Sequence, residues 1–150
     1  MSQVIHVADS VAKVATFRSY NSAPILVTSY ELLVRAEAEV GQVRWDLVVC
    51  DEAHRLKNAE IKTSCALAGI ACERRVLLTG TPVQNDLGEY FCLVNAVAAG
   101  LLGSRSDFNA QFVARIEAGR QPGADHEARQ AAEAALQTLA EISHSVLLRR

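Results

Sequence analysis

The segment Leu47-Val48-Val49-Cys50-Asp51-Glu52-Ala53-His54 does most to limit what this chain can fold into. A continuous apolar run ends abruptly in two adjacent carboxylates and a histidine. Such a run predicts a short strand, Trp45–Val49, covered on both faces and interrupted only by Asp46. Twenty-four residues separate His54 from a second signal, Thr79-Gly80-Thr81-Pro82-Val83-Gln84-Asn85, which again directly follows an apolar run, Val76-Leu77-Leu78. Two strand-then-polar-loop units at this spacing predict loops leaving the carboxyl ends of parallel strands, where α/β proteins place their sites.

The rest of the chain alternates in the same way. Asp9 to Tyr20 has helical spacing, Asn21-Ser22-Ala23-Pro24 breaks it, and Ile25–Thr28 reads as a strand. Ser29 is placed to cap a helix from Tyr30 to about Val40, stopped by Gly41. Asn58 is placed to cap a helix reaching Gly69, followed by a strand at Arg75–Leu78. Asp86 precedes a helix over Leu87–Ala99, with Phe91, Val94, Asn95 and Ala98 at helical spacing. Gly100–Gly103 reads as a turn, and Ser106 as the cap of a helix to Ala118. Gly119–Gly123 reads as a break. The last helix, Asp125 to Ser143, carries Ala132, Ala135, Leu136, Leu139 and Ile142 as its apolar stripe. Ser145–Leu148 reads as a final strand. Strands alternating with helices predict an α/β layer fold with a parallel sheet flanked by helices, here followed by C-terminal helices.

Composition excludes several classes. Half of the 150 residues are hydrophobic and 21% are charged, a globular balance. No apolar run approaches the roughly 18 residues of a membrane helix, and Met1–His6 lacks the features of a targeting peptide. A formal net charge of -2 supplies no overall basic footprint for nucleic acid. Cys50, Cys65, Cys72 and Cys92 form no C-x-x-C pair, so reduced thiols acting as small buried hydrophobes are expected rather than structural zinc. A Gly-x-x-x-x-Gly-Lys-Ser/Thr phosphate loop occurs nowhere between Met1 and Arg150.

A carboxylate pair at a strand end can face a phosphate together, because the backbone turns there. Asp51 would then hold Mg²⁺ through its water shell while Glu52 orients an attacking water. A bare Asp-Glu pair is more often a solvated loop start or helix cap; the preceding strand and following His54 are what raise it above that. His54 alone is an ordinary loop histidine, and zinc-protease spacing is absent around it. Arg55, Lys57 and Asn58 read equally as a solvated run and a cap, and Thr79-Gly80-Thr81-Pro82 as a strand-ending turn.

Taken in order, Asp51-Glu52-Ala53-His54-Arg55-Leu56-Lys57-Asn58 and Leu78-Thr79-Gly80-Thr81-Pro82-Val83-Gln84-Asn85-Asp86-Leu87 resemble motifs II and III of the SWI/SNF-type helicase-like ATPases of superfamily two. Ile25-Leu26-Val27-Thr28-Ser29-Tyr30-Glu31 resembles that family's motif Ib. The resemblance runs from about Pro24 to Arg150, through Glu89-Tyr90-Phe91, Leu101-Leu102-Gly103-Ser104 and Leu147-Leu148-Arg149-Arg150. Within the family, Asp86-Leu87-Gly88-Glu89-Tyr90-Phe91 and the Leu-Leu-Gly-Ser segment look most like the Rad-fifty-four recombination-repair branch. That branch usually carries Gly where this chain has Ala53. DEAH-type RNA helicases share the letters of motif II but usually carry Ser-Ala-Thr at motif III, and Thr79-Gly80-Thr81 argues against them.

The resemblance implies residues 1–150 to be part of a RecA-like, N-terminal helicase ATP-binding lobe. It implies an ATP-dependent translocase on double-stranded DNA, nuclear, acting in homologous recombination and DNA repair, with a recombinase filament or chromatin as a further partner. ATP and Mg²⁺ would be its cofactors. Asp51 and Glu52 would be the metal-holding and water-activating acids, with His54, Thr79, Gly80, Thr81 and Gln84 coupling nucleotide state to the DNA track. Ser29, Tyr30 and Lys57 would lie near DNA. The family also needs a phosphate loop and arginine fingers from a second lobe, which this sequence lacks, so the 150 residues alone are expected to be inactive. A catalytically dead remnant or adaptor that keeps the fold and binds a protein partner is the competing reading.

Overall fold

The computed structural model describes residues 5–17, 25–56, 62–80 and 86–148. They form two compact units: Met1–Glu52 with Asn58–Leu78, and Ala53–Lys57 with Thr79–Arg150.

The first unit is α/β. Its elements are β1 (Ile5–Val7), α1 (Val11–Phe17), β2 (Ile25–Val27), α2 (Tyr30–Arg35), α3 (Glu37–Gly41), β3 (Val48–Cys50), α4 (Lys62–Ala68) and β4 (Arg75–Leu77). Strands β1 and β2 pair in parallel with Ile5 opposite Ile25 and Val7 opposite Val27. Strands β3 and β4 pair in parallel with Val48 opposite Arg75 and Cys50 opposite Leu77. A helical crossover joins each pair, as parallel pairing requires. Val14, Leu32, Leu33, Val40, Ala66 and Leu67 from the helices are buried.

Ile25–Val27 is bonded to Ile5–Val7, too short a strand for its alternation to show, and the described residues form two two-stranded sheets rather than one. The helix expected from Tyr30 to Val40 breaks at Ala36, whose N–H is shared between the carbonyls of Leu32 (2.9 Å) and Leu33 (3.2 Å). Trp45 precedes the third strand instead of starting it, and its indole Nε1 donates to the Val40 carbonyl at 3.0 Å. Nor is β3 covered on both faces. Ile5, Val7, Ile25 and Val27 share one face of the first sheet, and Leu47, Val49, Val76 and Leu78 share one face of the second. All eight are between 42% and 64% exposed.

Parallel strands normally have both faces covered, and large bare apolar patches promote association. The chain by itself is therefore expected to self-associate, and Val7→Lys combined with Val49→Lys to reduce that association. Sedimentation velocity is the check; a monodisperse unmodified monomer would overturn the expectation.

The second unit is helical. It contains a 3-10 turn over Ala53–Leu56, α5 (Leu87–Val97), α6 (Arg105–Phe108), a π-helical turn over Asn109–Val113, α7 (Ala114–Arg120) and α8 (His126–Ser143). Asp86 and Asp125 cap α5 and α8, accepting from Gly88 and Glu89 N–H and from Ala128 N–H respectively. The cap expected at Ser106 is at Ser104. With Asp107 three residues on, Ser104 completes a reciprocal capping box, which Ser106 has no acid to form. Phe91, Val94, Leu102, Phe108, Phe112, Ile116, Ala135 and Leu139 make one core. Gly119 lets α7 approach α8 closely, since a Cβ there would clash with Ala132 Cβ. Leu136 does not belong to the stripe of α8: it is 40% exposed, one helical step away from Ala135. Asn95 likewise faces outward on α5. Ser145–Leu148 is no strand. Val146 and Leu147 N–H groups bond back to the Ser143 carbonyl as a turn continuing α8.

Candidate functional site

The carboxyl ends of β3 and β4 lie at one sheet edge. Leu78 N–H donates to the Cys50 carbonyl at 2.8 Å, so the ladder runs up to the residue before Asp51 on one strand and the residue before Thr79 on the other. The expectation that both motifs leave from one edge of a parallel pair is met.

Asp51 and Glu52 are both exposed at the end of β3. Glu52 has φ +51°, the only non-glycine among the described residues in the left-handed region. A side chain held there costs on the order of 1–2 kcal/mol, and such strain tends to gather at functional positions. The Asp51 carboxylate takes up part of that turn, its Oδ1 accepting the Glu52 N–H at 2.9 Å. Across the unit, the Tyr30 hydroxyl donates to the Asp51 backbone carbonyl at 2.8 Å. Ser29, one residue earlier, caps α2 as expected, its hydroxyl accepting the Leu32 N–H at 3.2 Å. Of the three residues expected near DNA, Tyr30 is thus bonded directly to the acidic strand end.

Cys50, beneath this edge, is buried. Burial pushes its thiol above the usual range, opposed by the Tyr30 hydroxyl and by the positive charge of Arg75. Cys92 is buried too, but Cys65 is exposed on α4, so only some of the cysteines fill the role of buried hydrophobes.

The remaining candidates belong to the second unit. His54 lies in the 3-10 turn between the fully enclosed Ala53 and Leu56. Ala53 has a negative φ and needs no glycine, so the departure from the usual motif letter carries no backbone strain. Thr79 and Gly80 are exposed. Lys57, Thr81 and Gln84 lie outside the described residues.

Oxygen ligands suit Mg²⁺, which keeps several waters and takes one or two carboxylates plus substrate phosphates instead of a full protein cage. Two exposed carboxylates at a strand end match that donor set. No group of three or more metal-ligating side chains occurs among the described residues, as a dedicated protein cage would require. Asp51 would hold the ion. The missed feature is the Tyr30–Asp51 bond, which joins residues 21 apart and leaves no periodic trace in the sequence.

Comparison with known proteins decides the family. The SNF2-related domain profile matches residues 2–150. The chain belongs to the SNF2-related domain family. It is 39% identical over 146 residues to human "DNA repair and recombination protein RAD54B", covering 97% of this chain and 16% of that protein. To the zebrafish (Danio rerio) "DNA repair and recombination protein RAD54-like" it is 47% identical over 130 residues, covering 85% and 17%. Against RAD54 of Saccharomyces cerevisiae the identity is 43% over 127 residues, covering 85% and 14%. The chain therefore spans about a sixth of the length of the curated relatives it matches. Among solved structures, the Sulfolobus solfataricus SWI2/SNF2 ATPase core in complex with dsDNA superimposes with a TM-score of 0.72 at 24% identity. It covers 99% of this chain and 33% of that one. The same organism's SWI2/SNF2 ATPase core domain gives 0.64 at 31% identity, covering 84% and 23%. The fold is that of a RecA-like SNF2 ATPase lobe, and the sequence resemblance to the RAD54 branch holds.

Proposed function

We propose that this chain is part of the first ATPase lobe of a DNA-dependent motor of the RAD54 type. The motor couples ATP hydrolysis to movement on double-stranded DNA in recombination and repair, in the nucleus. The supporting observation is the parallel β3–β4 ladder, whose Leu78 N–H to Cys50 carbonyl bond directly precedes Asp51 on one strand and Thr79 on the other. The relatives' names, which are repair and recombination proteins, and the neighbour solved with dsDNA support the same reading. A recombinase filament or chromatin is the proposed protein-side partner.

In this reading each residue has one task. Asp51 holds Mg²⁺, which when bound neutralises charge on the phosphates of ATP. Glu52 orients water for attack and accepts its proton. His54, Thr79, Gly80, Thr81 and Gln84 relay nucleotide state. Ser29, Tyr30 and Lys57 face the duplex backbone, positioning the motor without reading sequence. No helix of the described residues is long and apolar enough to cross a membrane.

Duplex binding tests the DNA half of the proposal. In the complete motor, Lys57→Ala is expected to weaken binding equally on unrelated sequences and to lower the salt slope by about 1 unit, as loss of one phosphate contact does. The 150 residues alone, with net charge -2, are expected to bind no tighter than roughly 10⁻⁴ M, the weak end of non-specific binding. Fluorescence anisotropy at two salt concentrations measures both. A motor that ignores duplex DNA would overturn the proposal and favour a protein-binding adaptor.

A further inference from the structure

The peptide linking Asp51 to Glu52 is held from both sides. Its carbonyl accepts from the Tyr30 hydroxyl at 2.8 Å, and its N–H donates to the Asp51 carboxylate at 2.9 Å. The plane of that peptide sets ψ of Asp51 and φ of Glu52 together, so it determines where both carboxylates point. Glu52 sits at φ +51°, a conformation that a residue with a side chain leaves unless its surroundings hold it. Tyr30 grips that peptide from a position 21 residues away in sequence. It is also the first residue of α2, immediately after the Ser29 cap. The hydroxyl therefore connects the start of α2 to the acidic strand end within one compact unit.

We infer that Tyr30 is a positioning residue that transmits duplex contact at Ser29–Tyr30 to the Asp51–Glu52 peptide, re-aiming the Glu52 carboxylate when DNA is bound. The inference rests on the DNA reading of α2 proposed above. The element needed for transmission is a segment with two arrangements whose balance the remote site biases. Glu52 supplies it: the strained left-handed state held by the Tyr30 hydroxyl, and a relaxed negative-φ state once that bond is lost. A displacement of the α2 start too small to disturb the fold is enough to lengthen a single 2.8 Å bond.

Tyr30→Phe tests this by removing the hydroxyl while keeping the ring. Hydrogen exchange followed by mass spectrometry is read on the segments 29–33 and 50–56, with the chain near 1 mM duplex to exceed a dissociation constant of roughly 10⁻⁴ M. In the unmodified chain, duplex is expected to change exchange in both segments. In Tyr30→Phe, the change at 29–33 is expected to persist and the change at 50–56 to vanish. Equal changes at 50–56 in both proteins would overturn the inference while leaving the DNA reading standing. No change at 29–33 in either protein, repeated in the complete motor, would remove the DNA reading and the inference with it. In the complete motor, the same substitution is expected to lower DNA-stimulated kcat about five-fold or more, the usual lower range of coupling between sites. The DNA concentration giving half-stimulation should move by less than about two-fold, below that coupling range. A purely structural tyrosine would alter the thermal transition without separating these two quantities, and that outcome would overturn the assignment.

Discussion

Phe108→Ala is expected to destabilise the helical unit by about 3–5 kcal/mol, the cost of emptying a large aromatic site in a core. Phe108 has no exposed surface. Its ring packs 5.0 Å from that of Phe91 and 5.4 Å from that of Phe112, centroid to centroid. Ile116, Ala135 and Leu139 belong to the same cluster, so the cavity would be walled by three helices and could not collapse without moving them. A unit of this size has a total stability of only about 5–10 kcal/mol, so the loss is a large fraction of it. Leu136→Ala on α8 is the control. It removes three aliphatic carbons from an exposed position and is expected to cost about 0.5 kcal/mol or less. Urea unfolding followed by helical circular dichroism measures both. A Phe108→Ala cost near that of the control would show that the ring cluster does not hold the unit together.

Those core residues were partly legible in the sequence, and the reason is periodicity. Phe91 and Val94 on α5, and Ala132, Ala135 and Leu139 on α8, repeat at helical spacing over eleven and eighteen residues, long enough for the pattern to be clear. Asp86, Asp125 and Ser29 stand immediately before such runs and do cap them. Short elements gave less. Ile5–Val7 is three residues, too few for alternation to show, and its pairing with Ile25–Val27 depends on contacts distant in sequence. Ser104 outcompetes Ser106 because Asp107 answers it, a reciprocity visible only once both partners are weighed. Leu47 and Val49 were expected to be covered because an apolar strand is usually buried on both faces; the sequence carries no mark of which face remains open.

The acidic site divides in the same manner. Apolar strand, carboxylate pair and second apolar strand predicted the parallel β3–β4 ladder correctly, since each motif is contiguous and ends at its strand. Backbone conformation at Glu52 is different in kind. A glycine there would have signalled a positive φ, whereas a glutamate at +51° gives no sequence warning. The Tyr30–Asp51 bond was hidden for a related reason, because a hydroxyl meeting a carbonyl 21 residues away is fixed by packing alone.

Glu52→Gln in the complete motor is expected to reduce DNA-stimulated ATP hydrolysis by roughly 10²–10⁴-fold, the contribution of a positioned general base. The amide keeps the size and hydrogen-bonding reach of the carboxylate but cannot accept the proton of the attacking water. It also retains the left-handed backbone demand at position 52, so stability should change little. Nucleotide binding is expected to persist, which separates loss of chemistry from loss of the site. In the 150 residues alone the contrast should disappear. The sequence contains no Gly-x-x-x-x-Gly-Lys-Ser/Thr cradle, and an arginine finger, which the family draws from a second lobe, is worth on the order of 10³–10⁵ in rate. With neither present, the chain and its Glu52→Gln variant should hydrolyse ATP at the same background rate, with or without duplex. Turnover by the isolated chain that depends on Glu52 would overturn this, because nucleotide would then be held by groups other than those assigned here. Hydrolysis in the complete motor that survives Glu52→Gln would remove Glu52 as the water-activating acid.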